Sequence, residues 1–171
     1  KNQTALNSIY TKCHIYLMIP LDLLQFQDRL QIKTQEQKRW ILDAIRKKWL
    51  VLTPEELVRQ LLVCYLVEEK AYNKNRIALE KSLRVNGLLR RWDALVYNEQ
   101  THAALLIECK APRVPVSQHT FEQIARYNLA VKVPFLLVTN GLQTYCCKID
   151  HAQQSFQFLA EIPDPEQLNS T

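Results

Sequence analysis

Residues 77–110 read IALEKSLRVNGLLRRWDALVYNEQTHAALLIECK, and this stretch decides the fold. Asn86-Gly87 separates two strand-like runs, Ile77 to Val85 and Leu88 to Tyr97. A two-residue type I′ turn needs positive φ at both central positions, which Asn and Gly tolerate, so the pair predicts a tight antiparallel hairpin. A polar turn over Glu99 to His102 leads into a third strand, Ala103 to Lys110. Ala111-Pro112 ends it, because proline lacks the amide donor and restricts the residue before it. With Asn86 and Gly87 as the loop, Glu80 falls opposite Asp93. With the next loop centred between Gln100 and Thr101, Asp93 also falls opposite Glu108. Three carboxylates then stand abreast on the meander, and Lys110 shares the strand face of Glu108.

On the N-terminal side, Thr53-Pro54-Glu55-Glu56 combines a Thr N-cap, a proline at the first helical position and a Glu at N3. These are the parts of a capping box, and they predict a helix to about Lys70 with Leu57, Val58, Leu61, Leu62 and Tyr65 on one face. On the C-terminal side, Ser117 caps a second helix to about Val131 that buries Phe121, Ile124 and Leu129. Phe135 to Thr139 reads as a short buried strand, and Asn140-Gly141 turns it toward a partner at Gln143 to Ile149. The last twenty residues read as a strand or short helix and a frayed tail. The order helix, three-strand meander, helix, two strands predicts a mixed α/β sheet flanked by helices. Gln35 to Trp49 is a basic amphipathic stretch, read as partly helical. Three segments are expected: an N-terminal extension over 1–34, an α/β domain over 35–162 and a tail over 163–171. With Met18 the only methionine, the first seventeen residues are expected to be an upstream extension.

Composition narrows the function. Only 2 glycines, Gly87 and Gly141, occur among 171 residues, so neither a glycine-rich phosphate loop nor a dinucleotide turn can be built. The five cysteines, Cys13, Cys64, Cys109, Cys146 and Cys147, have no Cys-x-x-Cys spacing and suit buried free thiols in a reducing cytoplasm. Adjacent Cys146 and Cys147 would point to opposite faces of a strand. The apolar run Ile15 to Pro20 is too short to span a membrane. The net charge is +5, and residues 1–50 hold nine Lys/Arg against four Asp/Glu while the remainder is balanced. Such a patch can track a phosphate backbone or form an ordinary solvated face. Aromatic residues are 9% and show no stacking pattern that argues for single strands.

The acidic cluster carries the chemistry. Like charges opposite one another on adjacent strands repel, so a partly dry set of Glu80, Asp93 and Glu108 calls for a neutralising cation. Hard oxygen donors suit Mg²⁺ or Mn²⁺ better than zinc. The bland alternative is a solvent-facing sheet with Lys110 as a simple salt-bridge partner.

Asp93, Glu108-Cys109-Lys110 and Gln123-Ile124-Ala125-Arg126-Tyr127 together resemble the PD-(D/E)xK nuclease pattern with its Gln-x-x-x-Tyr helix. Leu52-Thr53-Pro54-Glu55-Glu56, Arg91-Trp92-Asp93, Ile107 to Pro112, Ala125-Arg126-Tyr127-Asn128 and Thr139-Asn140-Gly141 are similar to the N-terminal nuclease domain of type I restriction enzyme R subunits and their small stand-alone relatives. Trp92 stands where the pattern usually has proline. The resemblance covers about residues 40 to 162. It implies a restriction-endonuclease-like fold and metal-dependent hydrolysis of DNA phosphodiesters. It places Mg²⁺ or Mn²⁺ on Asp93, Glu108 and the Cys109 carbonyl, with Lys110 positioning or activating the water. Gln123 and Tyr127, one helical turn apart with His119 a turn earlier, would support the lysine or touch DNA. A further ligand is Glu56, whose N3 place in the capping box explains it without metal and is the favoured reading, or Glu80, which rests on register alone. Arg59, Arg90, Arg91, Lys47 and Lys48 are the candidate phosphate contacts. DNA and restriction or motor subunits in trans are the implied partners, with a non-catalytic DNA-binding or assembly module as the alternative function.

Overall fold

The computed structural model describes residues 17–85 and 88–169, with side chains except at 81–85, 88–90, 118, 119, 122, 126, 127, 129 and 130. Cys13 and the Asn86-Gly87 turn lie outside the described residues.

Two sheets make up the fold. A three-stranded antiparallel sheet comprises β1 (Ile32–Gln35), β2 (Lys38–Asp43) and β3 (Lys48–Val51). A six-stranded mixed sheet follows in the order β4 (Ile77–Val85), β5 (Leu88–Tyr97), β6 (Ala103–Cys109), β7 (Phe135–Thr139), β8 (Thr144–Asp150) and β9 (Ser155–Leu159). Helix α1 (Pro54–Glu68) separates the sheets in sequence, α2 (Gln118–Val131) crosses from β6 to its parallel neighbour β7, and α3 (Pro165–Asn169) ends the described chain.

The meander has the expected register. Leu79 pairs with Ala94 and Lys81 with Trp92, which sets Glu80 level with Asp93. Ala94 pairs with Ile107 and Leu95 with Leu106, which sets Asp93 level with Glu108. A bulge between Val96 and Tyr97 absorbs the extra turn residue. Glu80 itself takes φ 50°, a left-handed value that costs a side-chain-bearing residue energy and interrupts the ladder beside Asp93.

Each sheet face has its own core. Leu79, Ala94, Val96, Leu105, Ile107, Leu137 and Cys146 pack with Leu61, Leu62 and Leu66 of α1 and with Leu168 of α3. Leu95, Leu106, Leu136, Val138 and Cys147 pack with Phe121, Ile124 and Ala125 of α2. The adjacent thiols are thus divided between the cores, and burial raises Cys146 to about 12. Phe121 of α2 meets Phe158 of β9 with ring centroids 5.0 Å apart.

Two expectations change. The stretch from Gln35 to Trp49 forms strands and tight turns, with no helix. Glu36 and Gln37 supply positive φ of 51° and 59° for a primed hairpin turn without glycine, so the turn carried no recognisable sequence signal. Residues 17–34, set apart by the sequence reading, carry a 3-10 turn (Leu23–Arg29) and β1, and bury Ile19, Leu23 and Phe26 in the α1-side core. The expected frayed end likewise packs: Leu168 is buried and Tyr72 Oη donates to the Pro163 carbonyl at 2.6 Å.

Helix α2 is locked to the connection entering β7 by Asn128. Its Nδ2 donates to the Val133 carbonyl at 2.7 Å, and its Oδ1 accepts from the Val133 amide at 3.1 Å, all of it buried. Asn128→Ala leaves both backbone groups unpaired and is expected to cost about 2 kcal/mol or more, read as a lower urea midpoint at unchanged slope.

Candidate active site

The carboxylates converge where β6 and β7, the parallel pair, reach their C-terminal ends. Ligand sites of open α/β sheets favour this position, because a helix and its loops leave a crevice there. Lys110 N–H donates to the Thr139 carbonyl at 2.8 Å, carrying the pairing one residue past the strand. Asn140 then closes the loop above it. Its Oδ1 accepts from Leu142 and Gln143 at 2.9 and 2.7 Å, and its Nδ2 donates to the Val114 carbonyl at 2.9 Å.

Arg59 of α1 sits at the centre and is only 7% exposed. The Thr53 hydroxyl accepts from the Glu56 amide at 3.1 Å and starts the helix, which sets Arg59 one turn inside it. The Glu56 carboxylate does not serve as the second half of a capping box. It pairs with Arg59 and accepts from Gln60 Nε2 at 2.8 Å. Arg59 also reaches Glu80 at 3.2 Å and Asp93 at 3.5 Å. It was expected on the DNA surface, and it lies among carboxylates in the interior.

Glu80 is the most heavily neutralised. Arg46, from the turn between β2 and β3, and Arg91 both pair with it in addition to Arg59. Arg46 is itself aimed by Asp43, a fully buried residue whose carboxylate accepts from the Ile45 and Arg46 amides at 2.9 and 2.8 Å and from Arg46 Nε at 2.5 Å. The sequence reading missed Asp43 and Arg46. Their i, i+3 spacing across a tight turn was a local signal, but it was hidden by the helical reading. Burial opposes the Glu80 charge, yet hydrogen bonds from Arg91 and Arg46, with the charges of Arg46 and Arg59, hold its carboxyl down at about 2.

Asp93 and Glu108 stand in a different environment. Asp93 Oδ2 accepts from the Cys109 amide at 2.7 Å, while its other oxygen meets, among the described residues, the more distant Arg59 at 3.5 Å. Burial raises the Asp93 carboxyl against that amide and the charges of Arg59 and Lys110. Glu108 is raised by burial and then by the charge of Asp93, against its 2.6 Å hydrogen bond from Lys110. Lys110 loses hydration, but the Glu108 hydrogen bond and the charges of Glu108 and Asp93 outweigh that loss and raise it further. It is therefore a firmly protonated ammonium. Glu55, which the sequence reading passed over, also faces this group: burial and then Asp93 raise its carboxyl, with Lys110 opposing. Among the described residues no three of His, Cys, Asp and Glu form a ready-made metal cage.

Lys47 and Lys48 are exposed on the β2–β3 hairpin, and Arg91 keeps a 62% exposed side chain while pairing with Glu80. Gln123 is an exposed position of α2. The side chains of Arg90, His119 and Tyr127 lie outside the described residues. A cleft of about 490 Å³ lined by Pro134, Lys148, Asp150, His151 and Phe156 lies at the opposite end of β7 and β8 from the carboxylates. No helix among the described residues is long and apolar enough to cross a membrane.

Two outcomes follow from the arginine-centred network. Removing one partner of a buried ion cluster leaves uncompensated charge, so Arg59→Leu should destabilise by about 3–5 kcal/mol in chemical denaturation. Glu80, lowered from the ordinary 4.5 to about 2, contributes stability that is complete above its unfolded value and is lost as pH falls from 4.5 toward 2. Denaturation midpoints measured with chelator across that acid range should fall less steeply for Glu80→Gln than for the wild type.

No curated protein sequence matches. Among solved structures, a fragment assigned as an HsdR subunit of a type I restriction enzyme from Vibrio vulnificus YJ016 is similar at TM-score 0.51 and 22% identity, covering 70% of this chain and 25% of that one. The chain thus spans about a quarter of that relative, and the likeness shows the fold, a restriction-endonuclease-like α/β sheet flanked by helices. A protein assigned as a nuclease of DUF820 from Anabaena variabilis ATCC 29413 is more distant, at TM-score 0.45 and 13% identity over 89% of this chain and 93% of that one. The family described as type I restriction enzyme R protein N terminus (HSDR_N) matches residues 54–163, from the first residue of α1 to just past β9. That span includes every carboxylate of the centre except Asp43, and the chain belongs to this family.

Proposed function

We propose that the chain is a metal-dependent DNA nuclease module in which Asp93 and Glu108 hold Mg²⁺ or Mn²⁺ and Lys110 acts on the water and the phosphate. The observation that carries this reading is how the arginines sort the carboxylates. Glu56 and Glu80 are taken up by Arg59, Arg46 and Arg91, whereas Asp93 meets Arg59 only at a longer 3.5 Å, Glu108 pairs with Lys110, and burial raises both carboxyls. A buried carboxylate pair of that kind stabilises itself by gaining a divalent cation.

The donor chemistry fits the ion. Two hard carboxylates and the Cys109 carbonyl leave coordination positions for water and a phosphate oxygen, as Mg²⁺ prefers. Glu55 at the rim supplies a further carboxylate more readily than Glu56 or Glu80, whose oxygens are already engaged. The bound ion would supply Lewis-acid polarisation of the phosphate and lower the pKa of its water.

The chain's own residues do the rest. Lys110, held protonated by Glu108, donates from Nζ to the attacking water or to a non-bridging phosphate oxygen and offsets charge building on phosphorus. The Cys109 amide fixes Asp93, so the carboxylate needs no rearrangement when the ion arrives. Lys47, Lys48 and Arg91 give the exposed positive charge that would hold the DNA backbone, and Gln123 and Tyr127 of α2 would steady Lys110 or the strand. The wider restriction assembly, with its motor and specificity subunits, would bring the DNA.

A second reading is favoured by one observation. Four cations already neutralise this cluster, so the fold could persist as a silent DNA-binding or assembly module. Plasmid cleavage with Mg²⁺ or Mn²⁺ separates the two. The nuclease reading expects nicking or linearisation that Asp93→Ala abolishes and Lys110→Ala lowers by roughly 10²–10⁴-fold, with unchanged circular dichroism. No cleavage with either metal, with DNA binding intact, supports the silent module.

A further inference from the structure

The small sheet has one open face that the site chemistry does not use. Its register pairs Lys33 with Trp40, Trp40 with Val51, and Leu42 with Trp49. Paired residues of an antiparallel sheet point to the same side, and alternate residues share a face. Lys33, Gln35, Lys38, Trp40, Leu42, Trp49 and Val51 therefore form one surface. The opposite face holds Ile41 and Asp43, both fully buried, so this surface is the outer one. Trp49 is 37% and Val51 46% exposed, Trp40 is half-buried, and Lys33 Nζ lies 4.5 Å from the centre of the Trp49 ring.

We propose that this face is a stacking platform for single-stranded DNA, on which unpaired bases lie against Trp49 and Trp40 while Lys33 and Lys38 take the phosphates. The proposal rests on the nuclease reading for the nature of the ligand and specifies its form. Flat aromatic faces flanked by lysines match the way proteins hold unpaired strands without sequence preference. A duplex keeps its bases stacked inside and gives the tryptophans nothing to cover. Protein interfaces deplete lysine, whereas two lysines, Lys33 and Lys38, stand within this face.

The present cover of Trp49 is easily exchanged. An exposed cation–π contact contributes about 0.5–1 kcal/mol. A stacked base contributes about 1–3 kcal/mol, and the displaced Lys33 ammonium gains a phosphate. The platform is also joined to the active centre, because Arg46 in the turn linking β2 to β3 pairs with Glu80. A strand gripped on the small sheet is thereby held by an element anchored beside Asp93.

Titration of the full chain in EDTA with an oligothymidylate of about 12 nucleotides, and with a blunt duplex of equal length, tests this. Wild-type tryptophan emission is expected to be quenched by the oligothymidylate and not by the duplex. Trp49→Ala should weaken oligothymidylate binding by roughly 5- to 150-fold while leaving duplex affinity within about twofold and the urea midpoint and salt slope unchanged, and Trp49→Phe should restore most of it. Unquenched wild-type emission, an unchanged Trp49→Ala affinity, equal losses on both ligands, or loss of self-association with no DNA effect would overturn the platform. Because chelator stops cleavage, the two readings fail separately. Plasmid cleavage with no Trp49 effect on oligothymidylate defeats only the platform, and Trp49-dependent binding without cleavage defeats only the nuclease.

Discussion

The burial of Arg59 among Glu56, Glu80 and Asp93 is the constraint on which the rest of this structure depends. A guanidinium taken out of water is costly unless its donors meet matched acceptors, and several carboxylates drawn together are costly unless cations lie between them. Neither arrangement would persist alone. Together they tie α1 to β4 and β5, and Arg46 extends the tie to the β2–β3 turn, so a helix and two sheets meet through ion pairs at one point. The apolar cores set where each element packs. The charged centre sets how they are rotated about it.

The same centre divides its carboxylates by environment. Glu80 is held near 2 by surrounding arginines, while Asp93 and Glu108 are raised, although all three stand level on adjacent strands. The kinked backbone at Glu80 belongs to this division, since the ladder is interrupted where the strand turns its carboxylate toward Arg46 and Arg91. Residues of the family pattern without evident chemistry find their role here as supports. Asn128 fastens the end of α2 to the connection entering β7, and Thr139, Asn140 and Gly141 shape the loop beside Lys110, where Thr139 Oγ1 lies 2.7 Å from that of Thr144 and accepts from the Gly141 amide at 3.0 Å.

The small sheet shows how the period assigned to a segment governs what can be read from it. As a helix, positions 40 and 49 lie on opposite sides, and the two tryptophans have no relation. As strands joined by a turn, they share one face. Their segment gave no glycine or proline signal, because Glu36, Gln37 and Lys47 take the positive φ values of its turns. Asp43 and Arg46 were lost to the same misreading.

From residues alone, the meander and its register could be worked out, because a turn with defined φ requirements and a strict two-residue alternation leave little freedom in which carboxylates stand abreast. Both flanking helices were legible for a similar local reason, a capping residue followed by an apolar stripe. Tertiary structure alone decided which cations meet those carboxylates. Arg46, Arg59 and Glu80 are far apart in sequence, and an ion pair between them depends on the packing angle of α1 and the position of the small sheet, neither of which any local pattern specifies. A cluster that suggested one missing metal thus became a centre with two parts: Glu56 and Glu80 closely paired with arginines, and a part-buried Asp93–Glu108 pair, raised by burial, that meets Arg59 at longer range and Lys110 closely.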